Sequence, residues 1–225
     1  MSKLIRDYIS KDIVSYAHID ELLDRNHIIL YESNNGFIIR DDLANFIYMS
    51  FNDLNVMKDI LSKKRYEHYI AYEKEIVDFY GDNGKVMKLY QYAYTSNKLF
   101  DVIDYDIRVL TPDYAEYIDS FYHAIPKDES SVSALEKGNV IGLFEKNELA
   151  GIIGVHPEGC MGMLIVLEKY RGKKYGEVLE KAMINKLIKE NKKVICEVVD
   201  GNEVSFHLQD KLGLTKGNKP FYWLV

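Results

Sequence analysis

With 225 residues, 47% of them hydrophobic, the chain is long and apolar enough to bury a sizeable core, which excludes general disorder. Its 35 Asp and Glu against 29 Lys and Arg leave a formal net charge of -6. That balance excludes nucleic-acid binding through a general basic field and mildly favours a cationic acceptor.

The chain opens on MSKLIRDYISKD, where charges interrupt the few apolar residues, and no later run nears the ~18 apolar residues of a membrane span. The expectation is a cytoplasmic protein with no membrane partner. Residues 27–32 (HIILYE), the turn NNG at 34–36, residues 37–42 (FIIRDD) and residues 44–51 (ANFIYMSF) read as three strands, the first two forming a hairpin. A helix, DLNVMKDILSKK, and a short strand, YEHYIAY, come next. Further on, Tyr90, Tyr92 and Tyr94 alternate as strand residues do, and packing accounts for them without a ligand.

No Pro/Gly/Ser-rich linker divides the chain, so the boundary comes from pattern. Residues 106–125 read as a short strand, then Thr111 as helix N-cap, Pro112 at the first helical position, and an amphipathic helix. This is a domain opening and predicts domains at 1–103 and 104–225. Beyond it, NVIGLFEKNELAGIIGV gives two strands joined at Lys146-Asn147, and Pro157-Glu158-Gly159 turns the chain into a third, CMGMLIVLE. The spacing of Val178, Leu179, Ala182, Met183, Leu187 and Ile188 predicts a helix, with Glu177 and Lys181 as an i,i+4 pair. KVICEVV suits a strand buried on both faces, NEVSFHLQDKLG a helix ended by Gly213, and PFYWLV a last strand. With Ile28 aligned on Val140, the first half follows the order of the second, which points to a degenerate duplication.

The stretch from Val166 to Gly176 carries the chemistry. A hydrophobic strand runs through VLEKYRGKKYG directly into a helix, whose first turn offers unpaired N–H groups and a partial positive charge to a pyrophosphate. Gly172 and Gly176 remove side chains where a phosphate would approach, and Arg171, Lys173 and Lys174 add charge. Neither the GxxxxGK[ST] of a P-loop nor GxGxxG is present.

RGKKYG resembles the acetyl-CoA signature of the GNAT superfamily of N-acetyltransferases, Arg/Gln-x-x-Gly-x-Gly/Ala. Arg171 and Gly176 hold the end positions, and Lys174 stands where the family usually has glycine. Val166 and Tyr170 are similar to the family's lead-in, with Glu168 in place of its proline. In NEVSFHLQDKLGL, Asn202, Ser205, Lys211, Leu212 and Gly213 match a second family pattern, with Gln209 at its usual tyrosine. The resemblance covers residues 104–225. It implies an α/β fold, a mixed sheet with helices, of two GNAT-like halves in tandem, the first degenerate.

The same resemblance implies that the backbone from Arg171 through Gly172, Lys173, Lys174 and Tyr175 to Gly176 holds the CoA pyrophosphate. The pantetheine arm would lie where strand 160–167 splays from strand 193–199, against Ile165 and Val166, with Asn202 and Ser205 in contact and the Val166 N–H as oxyanion donor. The implied activity is direct transfer of acetyl from acetyl-CoA to a primary amine of a small molecule or peptide, by a monomer or homodimer without a metal. Glu158 and His156 read as a solvated turn or as catalytic groups, and His207 as an exposed helix residue or the proton source for the leaving thiolate. Gln209 can donate a hydrogen bond there but no proton. The competing reading is a non-catalytic acyl-CoA-binding or regulatory module. Cys160 and Cys196, without ligand spacing, read as buried inert thiols.

Overall fold

A computed structural model describes residues 2–81, 86–122 and 131–224. Helices α1 (Lys3–Ile9) and α2 (Ala17–Leu22) precede strands β1 (His27–Ser33), β2 (Gly36–Asp41) and β3 (Phe46–Phe51). Then come α3 (Leu54–Leu61), β4 (Tyr69–Ala71), α4 (Lys74–Tyr80), β5 (Val86–Ala93) and β6 (Asp106–Val109). Two short helices, α5 (Ala115–Asp119) and α6 (Val132–Glu136), lead to β7 (Val140–Glu145), β8 (Glu148–Val155) and β9 (Met161–Val166). The long helix α7 (Tyr175–Lys189), β10 (Ile195–Val199), α8 (Glu203–Leu212) and β11 (Thr215–Leu224) complete the chain. No helix among the described residues is long and apolar enough to cross a membrane.

Two compact units result, Met1–Ala93 with Ile195–Val225, and Tyr94–Val194. They do not part at the expected boundary between residues 103 and 104. The C-terminal strands join the first unit because β10 pairs antiparallel with β5, from Ile195 opposite Ala93 to Val199 opposite Leu89, while β11 pairs with both β4 and β5.

In the first unit the strands lie in the order β1-β2-β3-β4-β11-β5-β10. The β1–β2–β3 meander is antiparallel, as its alternation and NNG turn predict, and α3 carries the chain over to β4, parallel to β3. Period-two alternation fills both faces. Phe37, Ile39 and Tyr48 pack with Ile5, Tyr8 and Ile9 of α1 and Ile19 and Leu22 of α2, while Ile38 and Met49 pack with Met57, Leu61, Ile76 and Val77 of α3 and α4. The i, i+3, i+4 spacing of Ile5, Tyr8 and Ile9 is the helical stripe that the charges around it obscure in the sequence. Tyr90 and Tyr92 both lie against Phe206 of α8, whereas Tyr94 falls beyond the end of β5.

The second unit is the antiparallel series β9-β8-β7-β6. Lys146 (φ 51°) and Asn147 (φ 64°) make the tight β7–β8 turn with the left-handed pair that two-residue hairpins require. One face packs Leu110, Phe144, Ile152 and Met163 against Ile118 of α5 and Leu135 of α6. On α7 the predicted stripe is buried from Val178 to Leu187, with Ile188 half-buried, and Lys181 donates to Glu177 at 2.7 Å. The helix expected after Thr111 is shorter than its pattern suggests. A 3-10 turn, Pro112–Tyr114, precedes the short α5, and the Thr111 hydroxyl donates to Asp113 instead of capping. The remainder of that expectation, residues 123–125, lies outside the described residues.

Candidate active site

The site is built on β9 and the loop that leads from it to α7. Val155 pairs with Met161 and Gly154 with Gly162, but Ile152 then pairs with Ile165, so Met163 and Leu164 together oppose Ile153. This is a β-bulge, and Met163 takes it up with a left-handed backbone (φ 55°). After the bulge β9 presses closely on β8, since a Cβ on Gly151 would lie 2.6 Å from the Ile165 carbonyl oxygen. Leu167 donates its N–H to Ala150. By alternation Ile165 turns its backbone groups to β8, and Leu164 and Val166 turn theirs away. The sequence expectation had Ile165 and Val166 both offering backbone to a ligand; the register gives that orientation to Leu164 and Val166. Leu164, Ile165, Val166, Leu167, Glu168, Arg171 and Phe121 line a cleft of about 560 Å³.

The loop from β9 to α7 departs from helical geometry twice before the helix begins. Gly172 (φ 82°) and Lys174 (φ 62°) are both left-handed, and no side chain caps the start of α7. A Cβ on Gly176 would rest in ordinary van der Waals contact with Val166 at 3.8 Å and Leu164 at 3.9 Å, so the first turn of α7 lies against the β9 residues that line the cleft. Arg171 is exposed and reaches back to donate its Nε–H to the Val166 carbonyl at 3.3 Å, tying the loop to the cleft. A half-buried helix start with no side-chain cap, preceded by the exposed Arg171 and Lys174, can take a di-anion.

The loop is held by the ends of the β7–β8 hairpin. Lys173 donates to both carboxylate oxygens of Glu145 at 2.8 and 2.7 Å, and the Tyr175 hydroxyl donates to the same carboxylate. Lys169 and the Tyr170 hydroxyl do the same to Glu148, at 2.5 and 2.8 Å. The hydrogen bond from Lys173, then that from Tyr175, holds the Glu145 carboxyl below its ordinary range, and the Glu145 carboxylate pushes Tyr175 up to about 12. Lys173, expected as charge for a phosphate, is therefore committed to Glu145, while its ammonium lies 5.5 Å over the Tyr170 ring. Glu145 and Glu148 were missed in the sequence. The available signal was two carboxylates flanking a hairpin turn, matched by the lysines of KYRGKKYG.

The remaining candidates lie on other elements. Glu158 is half-buried in the β8–β9 turn, and Tyr122 is pushed up to about 12, mainly by burial and further by the Glu158 charge. His156 covers Gly162, where a Cβ would lie 2.4 Å from its Nε2. Asn202, Ser205, His207 and Gln209 belong to the first unit. Asn202 is the N-cap of α8, its Oδ1 accepting the Ser205 N–H at 3.2 Å. His207 is exposed. Gln209 is only 4% exposed, and its Oε1 has no hydrogen-bond partner among the described residues. Cys160 and Cys196 are buried and unbridged. The first unit also holds a buried chain that sequence reading did not find, with His18 Nδ1 2.8 Å from Glu197 and its Nε2 3.0 Å from the Tyr48 hydroxyl.

Solved structures share this architecture. A Drosophila protein of 17% identity matches 84% of this chain and 74% of its own with a TM-score of 0.62. An acetyltransferase of the GNAT family from Colwellia psychrerythraea, 14% identical, matches 99% of this chain and 94% of its own at 0.58. A GCN5-related N-acetyltransferase-like protein from Streptococcus suis, 12% identical, matches all of both chains at 0.58. The chain has the GNAT fold. A model of FR47-like proteins matches residues 140–224, the stretch of this GNAT fold that runs from β7 to β11 and holds the bulge and the loop. No curated protein matches the chain. The GNAT-like resemblance read from RGKKYG is thus borne out at the level of fold.

Proposed function

We propose that this GNAT-fold protein transfers an acetyl group from acetyl-CoA to a primary amine of a small molecule or peptide in the cytoplasm. The observation that carries the reading is the uncapped start of α7 behind two left-handed residues, with Gly176 against Val166 and Leu164 and the cleft of Leu164–Glu168 beside it. These features suit CoA: the amides and Arg171 a pyrophosphate, the cleft an uncharged arm. Acetyl-CoA would supply the activated acetyl group. Val166, with its N–H turned away from β8, would donate to the thioester oxygen where charge develops.

No nucleophile with an adjacent base stands in the loop or cleft, so the reading is a direct displacement. A primary amine with the lysine pKa of about 10.4 is mostly protonated at neutral pH, so a base must take its proton. Glu158 is the candidate carboxylate of the second unit, His207 is the candidate proton source for the leaving thiolate, and the resemblance puts Gln209 at the tyrosine position that serves the same thiolate. A non-catalytic acyl-CoA-binding module is the second reading. It draws on Gln209, a buried amide that transfers no proton at the usual tyrosine position.

Calorimetry should give one acetyl-CoA site per chain, and acetyl transfer should appear with at least one member of a panel of amino acids, polyamines and peptide N-termini. Binding without transfer to any amine would favour the second reading, and no binding at all would remove both.

A further inference from the structure

The segment from Leu99 to Val109 is unusually apolar for a surface. Leu99 is 44% exposed, Ile103 90%, Tyr105 42% and Val109 56%, and Ile107 and Val109 border a cleft of about 880 Å³ beside Ala182 and Asn185 of α7. Contiguous exposure of this kind marks a surface that is covered by something. The same segment contains β6, which ends the second unit's series of strands; among the described residues only β7 pairs with it. Leu110 donates its N–H to Val140. By alternation Arg108 and Asp106 turn their backbone groups to β7, while Ile107 and Val109 turn theirs outward. β6 carries no Lys, Pro or bulge; of the devices that blunt an edge it has only its four-residue length and the charges of Asp106 and Arg108.

We infer that the occupant is a second copy of this chain, paired antiparallel through the outer edges of the two β6 strands. The charges choose both partner and register. Outward-facing residues can meet only outward-facing residues, so a twofold pairing on this strand is centred on residue 106, 107 or 108. Centring on Asp106 sets that carboxylate against its own copy, and centring on Arg108 does the same with guanidinium groups. Centring on Ile107 sets Asp106 against Arg108 of the second copy, in both directions, and Tyr105 against Val109. Asp106 and Arg108 then occupy non-hydrogen-bonded positions, where opposed side chains approach most closely. Arg108 already donates its Nε–H to Asp106 at 2.8 Å within the strand, so the four charges alternate in sign around the axis. The strand Tyr-Asp-Ile-Arg-Val is its own complement when reversed, and the exposed side chains of Tyr105 and Val109 become cross-strand partners.

Light scattering of the eluting full chain should give twice the 26.2 kDa of one chain at high micromolar concentration, falling to the single mass on dilution. Ile107→Pro removes an N–H that points outward, leaves the β6–β7 ladder intact and should leave only the single mass. Arg108→Asp should weaken association more than tenfold, because every register then opposes like charges. Asp106→Arg combined with Arg108→Asp should restore the dimer, since the swapped strand is again its own complement. Position 106 faces Phe144, so the cation that now lies 4.2 Å over that ring keeps a place to stack. Circular dichroism establishes that each variant is folded. A wild-type chain of single mass throughout, a dimer that survives Arg108→Asp, or a folded double variant that stays single would each overturn the pairing.

Discussion

The junctions β3–α3 and β9–α7 come at the same point in the order of elements of the two halves and end in different helix starts. At the first, Asp53 caps α3, its carboxylate accepting from the N–H groups of Asn55 at 2.8 Å and Val56 at 3.2 Å. β3 runs without a bulge, hydrogen-bonded to β2 on one side and β4 on the other. At the second, β9 bulges at Met163, Gly172 and Lys174 bend the loop into left-handed geometry, and α7 has no side-chain cap. The same strand-to-helix plan therefore gives a closed, self-satisfied joint in one place and an anion-ready one in the other. The difference lies in what meets the first amides of the helix, an internal carboxylate or no side-chain cap.

The largest expected effect breaks the second junction. Gly176→Glu places a carboxylate at the first turn of α7, where a Cβ fits without a clash, so the fold should persist. Acetyl-CoA at about a hundred times its Kd stabilises a folded protein by roughly 2.7 kcal/mol, and this thermal shift should vanish in the variant. An unchanged shift would take the pyrophosphate away from this loop.

The first junction should break differently. Asp53→Ala removes a cap, costing about 1 kcal/mol and lowering the melting temperature, yet it should not create a second CoA site. Without its cap α3 still lacks the left-handed approach, and β3 still runs without a bulge. Calorimetry of the variant giving two sites per chain would show that the cap alone separates the two junctions.

These contrasts were partly legible in the sequence. The hairpins at Asn34-Asn35 and Lys146-Asn147, the stripe of α7 and the loop of RGKKYG emerge from local periodicity and turn chemistry, and local signals survive folding. SFNDLNVMKD holds two aspartates and no glycine, a composition unsuited to phosphate, although the mechanism, Asp53 as cap, is a structural finding. Long-range pairing was not legible. Nothing near Ile195 or Thr215 says that these strands will bond to β5, so the compact units part elsewhere than the pattern suggested. Lys173 read as free charge because its partner Glu145 lies on another strand. The bulge was hidden for a related reason: it is a mismatch between β8 and β9, and MGMLIV alone is an ordinary apolar run.

The smallest effect sharpens the comparison at Lys174. That residue sits at the helix start with φ 62° and ψ 19°, a conformation that costs a residue bearing a Cβ about 1–2 kcal/mol. Lys174→Gly relieves this but loses roughly 0.5–1 kcal/mol through the freer unfolded chain, so a net gain of up to about 1.5 kcal/mol is expected. The same change removes a cation near the phosphates, and one exposed charge at a helix end is worth about 0.3–1 kcal/mol, so affinity for acetyl-CoA should fall no more than about fivefold. Lys174→Ala separates the two terms, because it removes the charge and keeps the Cβ. The Gly variant should melt higher than the Ala variant, while both lose the same affinity. Equal melting temperatures would mean that the left-handed turn stores no strain, and an affinity lost only by the Ala variant would mean that the backbone bend, and not the ammonium, is what position 174 contributes to the open helix start.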